Sequence, residues 1–256
     1  MAHHTAAVTT VAALALIAAG TASPATGATA GSATPHAVAV HSSGGRTHPT
    51  PSHFTRGRVD NPWFPLRPGN RLVSIGTEGR NHLRDAFLTT YSTAVIDGVT
   101  CRAVRDRLFQ NGILREVTTD WYAQTRRGTV WYFGERTAEL DRAGHVVSRE
   151  GSFRSGRNGA EAGVFMPAHP RVGQSFRQED YPGHAEDHFA IRDLSAHISV
   201  PVVASHHAML TRETSPLEPG VVDHKYYVRD IGTVREVTVK GGTESLKLVS
   251  IRHIRR

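Results

Sequence analysis

Two dipeptides fix the geometry of the middle of this chain. Asp97-Gly98 and Asn111-Gly112 each stand between runs rich in β-branched and aromatic residues. Both favour the positive φ that a two-residue type I′ hairpin turn needs. Turn signals recur at Arg127-Gly128, Ala143-Gly144, Ile231-Gly232 and Gly241-Gly242. The runs between them cover residues 87–96, 99–110, 113–124, 129–135 and 145–153. After an irregular Gly/Pro-rich stretch (155–173) they resume at 174–181, 197–203, 208–214, 221–228, 233–240 and 243–254. Regular turns with few helical periods predict an all-β fold: a single-domain antiparallel curved sheet or open β-barrel of roughly 10–12 strands. The one plausible helical piece is residues 185–194.

The N-terminus carries a different kind of information. Residues 6–19 (AAVTTVAALALIAA) are an unbroken run of small and apolar residues. The run is too short to cross a hydrocarbon core of about 30 Å as a helix. Small residues follow, and Ala28-Thr29-Ala30 offers an A-x-A cleavage site, although no Lys or Arg precedes the run. This layout predicts a secretory signal peptide over 1–30. A disordered linker over 31–58, rich in Ala, Gly, Ser, Thr and Pro, and one β domain over 59–256 then follow. The expected destination is secreted and extracellular, with no transmembrane segment in the mature chain. Cys101 is the only cysteine, so none stands after the apolar run to be acylated.

The formal net charge of the 256-residue chain is +7, and the basic residues are nearly all Arg. A basic balance admits an anionic partner. Acids and bases are interleaved, however, and no stretch holds five consecutive like charges, so the expectation is charge dispersed over the surface and no nucleic acid partner.

Two aromatic segments are candidates for a site. Residues 60–69 (DNPWFPLRPG) hold three prolines, which exclude a helix and a central strand. Trp63, Phe64 and Leu66 are too apolar for a free loop, so the segment is expected to lie extended across the mouth of the core as a plug. Residues 120–135 read as an aromatic hairpin. With a four-residue loop at 125–128, Trp121 would lie opposite Tyr132, and Tyr122 opposite Trp131, so each face would carry one Trp–Tyr pair. One face packs the sheet; the other must meet another layer of the fold, the Trp63 plug or a ligand.

Catalytic signatures are weak. His184-Ala185-Glu186-Asp187-His188 spaces two histidines as on a zinc-binding helix, but the acid is one place off and no third ligand is evident. Gly173-Gln174-Ser175-Phe176 begins like a nucleophile elbow, but Arg177 stands where a second glycine belongs. Glu135, Glu179, Asp180, Glu186, Asp187 and Glu218 could supply an acid and a base for glycoside cleavage. No phosphate cradle is present. No catalytic residue, metal site or cofactor is assigned.

The chain also resembles an uncharacterised family of exported, often lipid-anchored bacterial β proteins. The resemblance rests on Asn61-Pro62-Trp63-Phe64-Pro65-Leu66, Trp121-Tyr122-Ala123-Gln124, Val130-Trp131-Tyr132-Phe133-Gly134-Glu135 and Met166-Pro167-Ala168. It continues in Leu217-Glu218-Pro219-Gly220-Val221-Val222 and His224-Lys225-Tyr226-Tyr227. It spans residues 60 to about 248 and implies a single-domain β protein, by analogy similar to curved-sheet lipoprotein carriers, with no known activity. This chain departs from the family in lacking an anchor cysteine and in having Ala208 where members place a second cysteine. The expected role is a non-enzymatic protein binding an apolar or amphipathic ligand, such as a lipid, glycan or other envelope component, in a concave aromatic-lined face. Trp63, Tyr122, Trp131 and Tyr226 are the expected lining residues, with Glu135 and Lys225 as polar anchors. The alternatives are a carbohydrate-active hydrolase using paired carboxylates and a purely structural envelope protein.

Overall fold

A computed structural model describes residues 49–255. The expected signal peptide and most of the expected linker lie outside the described residues. Short strands β1 (Asp60–Asn61) and β2 (Phe64–Pro65) precede the long strands β3 (Asn70–Glu78), β4 (Asn81–Ile96), β5 (Val99–Gln110), β6 (Ile113–Gln124) and β7 (Val130–Leu140). Five short strands follow: β8 (Val146–Ser148), β9 (Phe153–Arg154), β10 (Glu161–Met166), β11 (Ser175–Arg177) and β12 (Glu179–Asp180). The chain closes with β13 (His188–Val200), β14 (Val203–Thr214), β15 (Val222–Val228), β16 (Gly232–Lys240) and β17 (Ser245–His253).

The fold is all-β, as expected. Strands β3 to β7 form one antiparallel meander and β13 to β17 a second, and β17 pairs with β3 to join them into one sheet. The two glycine-bearing dipeptides make the expected turns: Asp97 and Gly98 have φ of 48° and 73°, and Asn111 and Gly112 have 53° and 81°. The edges of this sheet are β11, on β13, and β12, on β10. Only Gln178 separates β11 from β12 in the chain. One short segment therefore bonds to both ends of the sheet and curls it into a nearly closed barrel. Gly163 on β10 permits this closure, because a Cβ there would sit 2.1 Å from the Gln178 carbonyl oxygen.

Residues 60–66 enter the barrel instead of lying extended across its mouth. They form a tight hairpin in which Asn61 pairs with Phe64. Asn61 shapes the hairpin: its Oδ1 accepts from the Trp63 N–H, and its Nδ2 donates to the carbonyls of Gly128 and Pro167. Phe64 thereby reaches the core, 4.4 Å from the Phe165 ring and 5.1 Å from the Tyr122 ring, centroid to centroid.

The structure corrects three other expectations. The piece read as a helix, 185–194, is mostly strand β13. Phe189 and Ile191 are buried while Ala190 and Arg192 are not, which is the period of a strand. The stretch 155–173 read as irregular contains β10. The aromatic hairpin is one residue out of the expected register. Its loop runs to Thr129, with the Thr125 N–H donating to the Thr129 carbonyl, so Gln124 faces Val130 and Tyr122 faces Tyr132. A one-residue slip exchanges faces. Tyr122 and Tyr132 stack inside the barrel with centroids 4.8 Å apart, while Trp121, Trp131 and Phe133 lie on the outer side.

The N-terminal segment covers that outer side. Phe54, within the span read as linker, is buried and packs edge-on to Phe133 at 5.3 Å. Arg154 lies over the Trp121 ring at 4.4 Å. Both aromatic faces of the hairpin are thus covered by the chain itself.

Closure through residues 175–180 predicts that Gly163→Ala opens the seam. Because the added methyl meets backbone, the cost should reach about 3 kcal/mol or more. Urea unfolding should show the loss, whereas Gly144→Ala, where a Cβ meets nothing within 4 Å, should lose only its turn preference.

Candidate functional site

Strand alternation selects the side chains that reach the interior. On β4 these include Leu83 and Asp85, on β5 Val104 and Asp106, and on β6 Glu116, Thr118, Asp120 and Tyr122. On β7 they include Tyr132, Glu135 and Thr137, and on the other meander Glu213, Asp223, Lys225, Tyr227, Val234 and Glu236. All of these are buried. Rings fill part of the interior around Phe64, and carboxyl groups line much of the rest. A cavity of about 90 Å³ remains between them. Its wall combines Phe64, Phe87, Tyr122, Phe165 and Tyr227 with Ser74, Asp85, Asp106, Lys225 and Glu236.

So many carboxyls cannot all be ionised in a dry interior, and two devices hold them. The first is Lys225, whose Nζ lies 2.8 Å from Glu213 Oε2 and 3.5 Å from Glu236 Oε1. The second is protonation. Burial pushes Asp85 up to about 7, while a hydrogen bond with Asp106 works against the rise. Asp106 is raised well above its ordinary value too, by burial and then by the Asp85 charge. Burial raises Asp120 to about 8, with the Asp106 charge adding to it. Burial and then the Asp120 charge raise Glu135. The Tyr132 hydroxyl shows why a shared proton is needed. It lies 2.7 Å from Asp120 Oδ1 and 2.8 Å from Glu135 Oε2. A phenol has one proton to donate, so the second contact requires a protonated carboxyl.

Several buried carboxyl oxygens have no hydrogen-bond partner, among them Glu236 Oε1, which lies 3.5 Å from Lys225 Nζ, and Glu244 Oε2. Asp85 lines the cavity, and its Oδ1 is buried with no hydrogen-bond partner, although the carboxyl group is also bonded with Asp106 and the Ala86 backbone. Glu179 is fully buried, and neither of its carboxyl oxygens has a hydrogen-bond partner. Its ordinary acidity is suppressed by burial, and then by the nearby Asp187 and Glu135.

A second concavity, a groove of about 530 Å³, lies at the plug. Trp63, Pro62, Arg127, His169 and Pro170 are among its lining residues. Trp63 is 6% exposed, with Arg229 over its ring at 5.1 Å.

The expected site residues therefore separate. Tyr122 and Lys225 line the cavity, and Trp63 lines the groove. Glu135 is buried beneath Tyr132 and lines neither. Trp131 is in the outer aromatic cluster, and half-buried Tyr226 packs with a cluster that joins β13, β14 and β17. Cys101 is fully buried in the outer aromatic cluster, while Ala208 belongs to the cluster around Val234 and Leu248. His184 contacts Glu150 and His188 contacts Arg177, so the two histidines serve different neighbours. Asp85, Asp106 and Asp120 were missed by the sequence reading. Asp106 and Asp120 lay at alternate positions of strands read from the sequence, whereas Asp85 precedes the run read as 87–96, because β4 begins at Asn81 and its pairing with β3 was not read.

A carboxyl that keeps its proton when folded and releases it when unfolded stabilises the fold at low pH. That contribution is complete below the unfolded value near 4 and is lost as pH rises through the folded value. For Asp85, Asp120 and Glu236, with folded values of about 7 to 8, the loss falls between about pH 4 and 8. The melting temperature should therefore drop from pH 5 to pH 8, and Asp85→Asn should flatten the slope. Lys225→Met should cost about 3–5 kcal/mol at pH 8, where it strands buried charges. The cost should be smaller at pH 5, where Glu236 takes up a proton. Denaturant titrations at the two pH values measure both effects.

No family model and no curated protein matches the chain. Among solved structures, it is similar to a candidate exported protein with a YmcC-like fold from Bacteroides fragilis (9% identity, TM-score 0.42). The match covers 74% of this chain and 98% of that one. It is similar to the same extent to a candidate lipoprotein from Parabacteroides distasonis, with identical values of identity, coverage and TM-score. A likeness this loose assigns neither a family nor an activity.

Proposed function

We propose that this protein is an exported, non-enzymatic β-barrel that holds a small amphipathic ligand in its interior cavity, and that it belongs to the exported family its motifs resemble. The leader-like residues 6–19 and the A-x-A site support export. The observation that carries the binding reading is Asp85. A buried carboxyl oxygen without a hydrogen-bond partner costs free energy, and Asp85 lines a cavity whose wall joins rings to polar groups, Ser74, Asp106, Lys225 and Glu236 among them. A ligand with a donor group at one end and an apolar remainder satisfies both walls.

The volume limits the guest. A cavity of about 90 Å³ is smaller than the roughly 150 Å³ that takes a benzene. The ligand, or the end of it that enters, has only a few heavy atoms. A lipid or glycan of the envelope would enter by one end only. The hydrolase alternative finds less support: Glu135 is sealed beneath Tyr132, and Glu218 lies in a separate crevice with Asp187 and Asp223.

Native mass spectrometry of the exported, purified full chain tests this reading. The wild type should carry a small non-protein mass that is released on denaturation. Ser74→Leu, which fills the cavity, should carry none. If the wild type carries nothing and Ser74→Leu only raises the melting temperature, the barrel is structural.

A further inference from the structure

The same alternation that sends carboxyls inward sends arginines outward, and the register places them side by side. Across one row, Arg136 on β7 lies opposite Thr119, and Arg105 opposite Leu88; Leu88 pairs with Arg71, which pairs with Arg252. In a neighbouring row Phe109, Arg84, Ile75, Lys247 and Arg235 follow one another across β5, β4, β3, β17 and β16. No carboxylate stands in either row. Asp85, Asp106 and Glu236, the sequence neighbours of Arg84, Arg105 and Arg235, are all turned inside.

Two of these pairings oppose like charges directly, Arg71 with Arg252 and Arg235 with Lys247. Such cross-strand pairs destabilise a sheet, so stability does not explain them. Among the described residues, none of these cations is in an ion pair within 4.0 Å of a carboxylate. Arg71, Arg84 and Arg252 surround a groove of about 250 Å³ floored by Val73 and Ser250. Arg84 also lies over the Phe109 ring, and Ile75, between Arg84 and Lys247, is 42% exposed. Guanidinium groups match phosphate oxygens in a bidentate way. The apolar residues set among them fit a surface that offers hydrocarbon as well as charge, which a soluble polyanion does not.

We propose that this outer wall, formed by β16, β17, β3, β4 and β5, docks on an anionic membrane surface, its arginines engaging phosphate-bearing lipid headgroups. This goes beyond ligand binding inside the barrel and stands independently of it.

Vesicle co-sedimentation of the full chain tests the proposal. The probes are vesicles of phosphatidylcholine alone and vesicles with phosphatidylglycerol added. The wild type should bind only the acidic vesicles and should be released by high salt. Each basic residue near an anionic surface contributes about a fivefold factor, so the combined variant Arg71→Gln, Arg84→Gln, Arg252→Gln should bind about 100-fold more weakly. The control variant Arg126→Gln, Arg142→Gln, Arg157→Gln removes the same charge from other exposed positions and should lose a few-fold at most. If the first variant fails to fold, Lys247→Glu and Arg105→Glu, both on exposed side chains, carry the test with about a 25-fold loss each. An equal loss in the control variant, or equal binding to both vesicle types, overturns the proposal. Tighter binding to soluble polyphosphate or duplex DNA than to vesicles also overturns it, in favour of a polymer partner.

Discussion

The structure depends on one constraint, the two-residue period of a strand in a sheet that closes on itself. In an open sheet, alternation separates a wet face from a packed one. Here closure through residues 175–180 converts one face into an interior, and the side chains of that face become buried whatever their chemistry. Asp85, Asp106, Asp120, Glu135 and Glu236 are interior because Arg84, Arg105, Thr119, Arg136 and Arg235 are not. A buried, unpaired carboxylate is expensive, whereas a protonated one is a modest polar group that can donate a hydrogen bond. The interior is held by this change of state and by the single lysine at its centre, with Thr118, Thr137 and Thr211 taking up further polar contacts.

The plug resolves a second conflict. A barrel wide enough to carry rings and carboxyls on every strand leaves space along its axis. The hairpin of residues 60–66 fills part of that space with Phe64 and Leu66. What remains is a small cavity with one apolar and one acidic wall. The outer aromatic face of the β6–β7 hairpin needs no ligand, because Phe54 and Arg154 cover it.

Much of the fold was legible in the sequence, because glycine-bearing turns and β-branched runs are local signals. Strands β5 and β6 run over the residues that Asp97-Gly98 and Asn111-Gly112 delimit. Where long-range contact decided the outcome, local signals failed. Strand β10 is short and set among glycines, and it is a strand because Tyr132 and Trp131 offer it an edge. Residues 125–129 formed a loop one residue longer than expected because Thr125 bonds back to Thr129 and bridges to Phe54. The most instructive failure concerns charge. Interleaved acids and bases such as Arg105-Asp106-Arg107 were read as a dispersed surface. On a strand, interleaving at period two produces the opposite result, with one sign collected on each side of the sheet. Of the residues expected to line a site, Tyr122 and Lys225 line the cavity and Trp63 the groove, while Asp85 and Asp106, which also line the cavity, were not anticipated.

Residue-resolved carboxyl NMR of the folded protein, followed from pH 4 to 9, addresses this partition most directly. If the sheet sorts its charges as described, the side-chain carbons of Asp85, Asp120 and Glu236 report a protonated acid at pH 6 and titrate at about 7 to 8. If all three are already ionised at pH 5, the interior is solvated, and the sorting of charge between the two faces of the barrel is wrong.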